Sequence, residues 1–144
     1  MTSKEDQDLI AYNQTIIDEF RANKGIVGGA FEGKPLLLIT TKGARSGADR
    51  LCPLSYIEDD DRLVIAATNV GRADNPQWYH NLRADPSLTV EVGTDRFEAS
   101  ATEVGGDERE RLWAGLVASN RRLGKYGSMT TRQIPVFVVE RKPA

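Results

Sequence analysis

Between Pro35 and Glu140 the chain breaks into six short apolar segments, PLLLITT, LCPLSYI, RLVIAAT, LTVEV, FEASATEV and IPVFVVE. This spacing constrains the fold more than any other feature. Each segment is rich in Val, Ile, Leu, Thr or aromatic residues, the types that suit a pleated, half-buried surface. Connections as short as EDDD and GTD join neighbouring antiparallel strands. The few helical stretches do not alternate regularly with the strands. That excludes a doubly wound parallel sheet and predicts a small antiparallel barrel, mainly β with flanking helices.

At 144 residues the chain is expected to form one domain over residues 1–144, burying roughly two-thirds of its unfolded surface. Residues 1–25 are read as an N-terminal helix and candidate lid. From about Lys4 to Asn23, Leu9, Tyr12, Ile16, Ile17 and Phe20 recur at helical spacing. This stripe is expected to pack on the domain, with a lid or a membrane-surface contact as alternatives. Ser3 is the expected N-cap, with Asp6 three residues on, and Gly25 the expected stop. In NPQWYHNLRA, Asn75 is expected to cap and Pro76 to take the first helical position. DERERLWAGLVASNRRL is read as one helix capped near Asp107, with Leu112, Trp113, Leu116 and Val117 facing inward.

Much chemistry is excluded. One histidine, His80, rules out paired-histidine metal sites and makes a Ser-His-Asp triad improbable; a surface or hydrogen-bonded structural role is expected of it. The lone Cys52 is read as a small buried hydrophobe, and no C-x-x-C is present. No G-x-S-x-G elbow and no G-x-G-x-x-G after a strand occur. Gly28 with Gly33-Lys34 is a near miss to a phosphate-binding P-loop, but Pro35 follows and the segment precedes a strand, so it is rejected. Asp59, Asp60 and Asp61 are read as a solvated turn. No metal site is expected. The net charge of −2 offers nothing that attracts nucleic acid. No apolar run approaches the ~18 residues that span a bilayer. A reducing cytoplasm is the expected compartment, with a peripheral contact at the inner face of the membrane as the variant that the N-terminal stripe suggests.

Against this acidic background, TKGARSGADR concentrates Lys42, Arg45 and Arg50 with two glycines and a serine. Gly43 and Gly47 are read as able to take positive φ, so that backbone N–H groups form an anion-binding nest. Ser46 adds a hydroxyl and the arginines bidentate forks. A soluble hairpin loop is the alternative reading. A second donor-rich loop, NVGRADNP, contains Gly71 and Arg72 and leads into a helix start. Trp78, Tyr79 and Leu82 are expected to pack the short helix on the barrel.

TTKGARSGADR-x-x-P, then NP-x-WYHNL-x-A-x-P, then a terminal T-x-R-x-IPV, in that order, resemble the deazaflavin-dependent nitroreductase family of actinobacteria. The resemblance covers nearly the whole chain. It implies a split antiparallel β-barrel related to the FMN-binding split barrels, and binding of the 8-hydroxy-5-deazaflavin coenzyme F(420) with its phosphate and polyglutamate tail. It implies that Lys42, Gly43, Ala44, Arg45 and Ser46 hold the phosphate and tail, with Arg50 beyond them and Pro53 beneath the ring. Asn69, Val70, Gly71 and Arg72 would flank the ring, with Trp78 and Asn81 in the short helix. In the stretch where one family branch carries three tyrosines, this chain has Asn120, Leu123 and Tyr126. The implied activity is hydride transfer from the reduced deazaflavin to an electron-poor acceptor such as a quinone, an enone or a nitroaromatic. Tyr126 is the candidate catalytic residue, hydrogen-bonding or protonating the acceptor. The alternatives are an FMN-dependent oxidoreductase on the same barrel and a non-catalytic carrier of the coenzyme or another small ligand.

Overall fold

A computed structural model describes residues 4–29, 33 and 35–143. The expected N-cap Ser3, and Lys34 of the rejected P-loop match, lie outside the described residues. Helix α1 spans Lys4–Ala22, followed by strands β1 (Leu36–Lys42), β2 (Asp49–Ser55), β3 (Ile57–Asp59) and β4 (Arg62–Ala66). A single turn of 3-10 helix at Asn69–Gly71 leads into α2 (Gln77–Ala84). Strands β5 (Ser87–Val92) and β6 (Asp95–Val104), helices α3 (Gly106–Ser119) and α4 (Arg121–Ser128), and strand β7 (Val136–Arg141) complete the order.

The strands form one sheet in the order β2-β1-β5-β6-β7-β4-β3, with every pairing antiparallel. The two outermost strands, β2 and β3, are separated in sequence by Tyr56 alone. A sheet whose opposite edges are one residue apart along the chain has to curl back on itself. LCPLSYI, expected to be a single strand, is therefore split at Tyr56, where the chain passes from one edge of the barrel to the other.

Period-two alternation divides the apolar residues between an inner and an outer face. Leu37 and Ile39 of β1, Ile65 of β4, and Phe137 and Val139 of β7 point into the barrel, where Trp78, Tyr79 and Leu82 of α2 cover them. The intervening Leu36 and Leu38 meet Ile16, Ile17 and Phe20 of α1 on the outside. Val64, Val136 and Val138 meet Leu112, Leu116 and Leu123 of the α3–α4 pair. Both faces of β1, β4 and β7 are thus covered, which is why these strands read as continuous apolar runs.

The N-terminal stripe packs on the domain through Ile16, Ile17 and Phe20, all buried, whereas Tyr12 is 49% exposed and falls off the buried face. Pro76, not Asn75, is the residue before the first turn of α2, and Asn75 bonds elsewhere. The segment read as one helix after Asp107 is two. Asn120 takes an extended conformation that ends α3, and its side chain accepts from the Arg122 amide at 3.1 Å to start α4. Of its four expected inward residues, Leu112 and Leu116 are buried, while Trp113 and Val117 are half-buried. The acidic turn is not wholly solvated: Asp59 is half-buried, held by Arg62 at 2.6 Å and Arg111 at 3.0 Å. These bonds keep its carboxyl at about 2, below the ordinary range.

Candidate functional site

Two hollows share walls at one end of the barrel. A basic cleft is lined by Gly43, Ala44, Arg45, Ser46 and Arg50 from the β1–β2 loop and by Gln77 and His80 from α2. A more enclosed cavity is lined by Cys52, Pro53 and Leu54 of β2, Asn69 and Val70 of the loop after β4, and Trp78 of α2. Asn120, Arg122, Leu123 and Tyr126 close it from the α4 side, and Leu9 and Asn13 from α1. Strand β2 serves both hollows, with Arg50 in the cleft and Cys52 through Ser55 on the cavity wall. Helix α2 does so by sending Gln77 and His80 one way and Trp78 the other. The cavity encloses about 150 Å³ and the cleft about 690 Å³.

Four amides of the β1–β2 loop are bonded within the protein. The Gly43 amide donates to the Ala48 carbonyl at 2.8 Å, and the Gly47 amide to the Gly43 carbonyl at 2.8 Å. Ala44 N–H donates to Asn81 Oδ1 at 2.9 Å, and Ala48 N–H to Ser46 Oγ at 3.1 Å. Of the two glycines only Gly47 takes positive φ (+70°); at Gly43 a Cβ would lie 2.7 Å from Ser46 Oγ, so the hydroxyl would have to turn away. The positive charge at the cleft comes from Arg45 and Arg50, with the Ser46 hydroxyl beside them. No carboxylate lines the cleft among the described residues.

Asn81 explains how that loop is held. It is buried at 1% exposure; its amide donates to Thr41 Oγ1 at 3.0 Å, and its oxygen accepts from Gln77 Nε2 at 3.0 Å as well as from Ala44. It lines neither hollow. Lys42 is drawn to the Asp49 carboxylate across the β1–β2 pair and also lies outside both. Among the other expected residues, Gly43, Ala44, Arg45, Ser46 and Arg50 come together in the cleft. Pro53, Asn69, Val70, Trp78 and Tyr126 come together in the cavity.

Gly71 and Arg72 line neither hollow. Gly71 packs the loop onto α4, where a Cβ would meet the Met129 side chain at 2.9 Å and the Tyr126 carbonyl at 3.1 Å. The Arg72 carbonyl accepts from Arg132 at 3.1 Å. Trp78 also packs on Phe137, ring centroids 5.7 Å apart, so it serves core and cavity together. Cys52 is half-buried on the cavity wall rather than fully buried. Desolvation pushes its thiol up to about 12, which makes it a poor nucleophile.

Arg132 holds the loop after β4, a role that the sequence reading did not assign to it. Its guanidinium donates to the carbonyls of Ala67 (3.1 Å), Thr68 (2.9 Å) and Arg72 (3.1 Å) and to Asn75 Oδ1 (2.7 Å). It spans the loop in which Asn69 and Val70, both at φ +49°, take left-handed backbone beside the cavity. The signal available was its place as the arginine of the terminal T-x-R-x-IPV motif. His80 and Gln77 in the cleft were likewise not foreseen as site residues.

The curled antiparallel sheet, with a basic cleft near a cavity walled in part by Trp78 and Tyr126, places the chain in the split-barrel class. The family model of F420H(2)-dependent quinone reductases matches residues 13–141, and the chain belongs to that family. The F420H(2)-dependent quinone reductase Rv1261c of Mycobacterium tuberculosis is 36% identical over 127 residues, 85% of each chain. The solved structure of an F420-H2 dependent reductase, FDR-A, superposes with a TM-score of 0.68 at 36% identity, covering 74% of this chain and 94% of that one. A further solved structure, described as a domain-swapped dimer, superposes with a TM-score of 0.70 at 32% identity over 93% and 98% of the two chains.

The protein is accordingly an oxidoreductase that uses the deazaflavin coenzyme and reduces quinone-type acceptors. The resemblance read from the motifs, the split-barrel class and the coenzyme are borne out. The carrier alternative is set aside, and flavin mononucleotide finds no support. No helix among the described residues is long and apolar enough to cross a membrane.

Proposed function

We propose that Arg45, Arg50 and Ser46 hold the anionic tail of the coenzyme in the cleft, and that the cavity seats its ring and the acceptor. The observation that carries this reading is the shared wall: on β2, Arg50 in the cleft is followed two residues later by Cys52 and then Pro53 in the cavity. The bound reduced coenzyme supplies a hydride. The residues present fit it, with two arginines and a hydroxyl for the tail and a largely uncharged recess for the ring. Pro53 and Trp78 wall the recess, Asn69 and Val70 flank it, and α1 excludes water on one side through Leu9 and Asn13. Tyr126 faces the cavity as the hydrogen-bond and proton donor to the acceptor. Asn81, Gly71 and Arg72 support the site from behind its walls, and Lys42 adds charge at its margin.

The compartment that goes with this reading is the cytoplasm. Since Ile16, Ile17 and Phe20 are buried, a peripheral contact with the inner membrane face would run through the exposed Ile10 and Tyr12.

The test is a titration with the deazaflavin coenzyme and, in parallel, with flavin mononucleotide. Saturable deazaflavin binding that weakens with salt, and about tenfold in Arg45→Ala, is expected, the loss of one charge-assisted contact. Deazaflavin affinity that ignores both salt and the variant would remove the cleft from the site.

A further inference from the structure

Arg122 is the one charged side chain among the described residues lining the cavity. It lies at the start of α4, four residues before Tyr126, so both project from one face of the helix into the same recess. The side chain is exposed, and no acidic partner reaches it within ion-pair distance among the described residues. Arg21, Arg62, Arg109, Arg111 and Arg141 pair with carboxylates and Arg132 is spent on carbonyls and Asn75, whereas Arg122, like Arg45 and Arg50 of the cleft, has no carboxylate within ion-pair distance among the described residues. The acid-free stretch between Glu110 and Glu140 leaves α4 without a counter-charge of its own. An unpaired guanidinium on the wall of a site that receives a hydride is placed to meet negative charge on the acceptor.

We propose that Arg122 is a specificity residue for the acceptor, holding an anionic acceptor oxygen in the cavity. It makes the site favour quinones that carry an ionised oxygen substituent over neutral quinones of the same size. The inference rests on the functional reading above. A quinone that takes up a hydride gains one proton and two electrons and one unit of negative charge, which settles on oxygen. The reduced coenzyme is oxidised by the same two electrons. One further proton, from Tyr126 or water, completes the hydroquinone. Arg122 stabilises an oxygen that is already anionic before transfer, or becomes so during it, and Tyr126 stands one helical turn away to donate. Water on the exposed side screens this attraction, so it is a matter of preference and not of all-or-none activity.

The experiment compares kcat/KM for menadione, a neutral quinone, with that for a naphthoquinone sulfonate, at low and high salt. Wild type, Arg122→Ala, Arg122→Lys and Arg121→Ala are measured, each with a deazaflavin titration. Arg121 is an exposed neighbour of the same charge that does not line the cavity. The expected result is a sulfonate-to-menadione ratio that falls by about five- to tenfold in Arg122→Ala, the scale of one partly screened charge contact. Arg122→Lys should keep most of the preference, Arg121→Ala all of it, and high salt should erase it in wild type. Deazaflavin affinity should be the same in all four proteins. An unchanged ratio in Arg122→Ala, or an equal fall in Arg121→Ala, would overturn the proposal while leaving the coenzyme reading intact. Failure of the wild-type protein to bind the deazaflavin would overturn both.

Discussion

The guanidinium of Arg132 donates to the side-chain oxygen of Asn75 at 2.7 Å, joining residues 57 positions apart. The same group holds the carbonyls of Ala67, Thr68 and Arg72, so one fork sets the path of the loop that carries Asn69 and Val70 past the cavity. Lysine keeps the charge but not the planar fork. Arg132→Lys is expected to lose about 1–3 kcal/mol in urea unfolding, since several carbonyls lose a donor. Deazaflavin affinity should fall with it, more than the loss of stability explains, because loop geometry rather than charge is altered. Unchanged coenzyme binding in a folded Arg132→Lys protein would show that the loop holds its shape without the fork.

Asn81 fixes the other side of the site. Asn81→Ala leaves the buried Thr41 hydroxyl and the Ala44 amide without partners, at a cost of about 2–3 kcal/mol. Asn81→Asp keeps an acceptor for Ala44 but removes the donor to Thr41 and sets a negative charge behind the anion-binding loop. Coenzyme affinity should therefore drop further in Asn81→Asp than in Asn81→Ala, even if the two are equally stable. Parallel titration and thermal unfolding separate the terms.

Helix α1 gives a contrast between two isoleucines. Ile16 is 5% exposed and Ile10 62%. Ile16→Asp buries an unpaired carboxylate and is expected to cost about 3 kcal/mol or more, whereas Ile10→Asp should stay within about 0.5 kcal/mol. Ile10→Asp is thus the variant that can report on membrane association, by co-sedimentation with anionic vesicles, without unfolding the protein. Equal destabilisation by both would mean that the described packing of α1 is wrong.

Asp59 ties β3 to α3 through Arg111, with Arg62 beside it. Its carboxyl titrates lower in the folded protein, at about 2, than in the unfolded chain, near 3.8. The stabilisation is therefore complete above the unfolded value and is lost as pH falls from about 4 toward 2. Asp59→Asn should be less stable at neutral pH and show a flatter acid limb in that window. Chemical unfolding at several pH values measures both, and parallel acid limbs would contradict the assignment.

The strands were legible in the sequence because period-two alternation and runs covered on both sides are local patterns. The basic loop was legible because Arg45 and Arg50 stand out against an acidic chain, and the ordered motifs carried the family. Three features were not legible, for one physical reason: each depends on partners distant in sequence. Tyr56 splits a continuous apolar run only because the sheet closes around it. Gly43, Ala44, Gly47 and Ala48 have amides that a sequence leaves open but the folded loop uses, one of them on Asn81. Arg132 stands in the T-x-R-x-IPV motif, but what it holds shows only when the loop after β4 is laid against it. Composition and spacing determined which segments form strands and which loop is basic, and the ordered motifs carried the resemblance to the family. Tertiary structure alone decided which side chains line the two hollows and which hold the loops, because a hydrogen bond between residues 37 or 57 positions apart leaves no trace in local pattern.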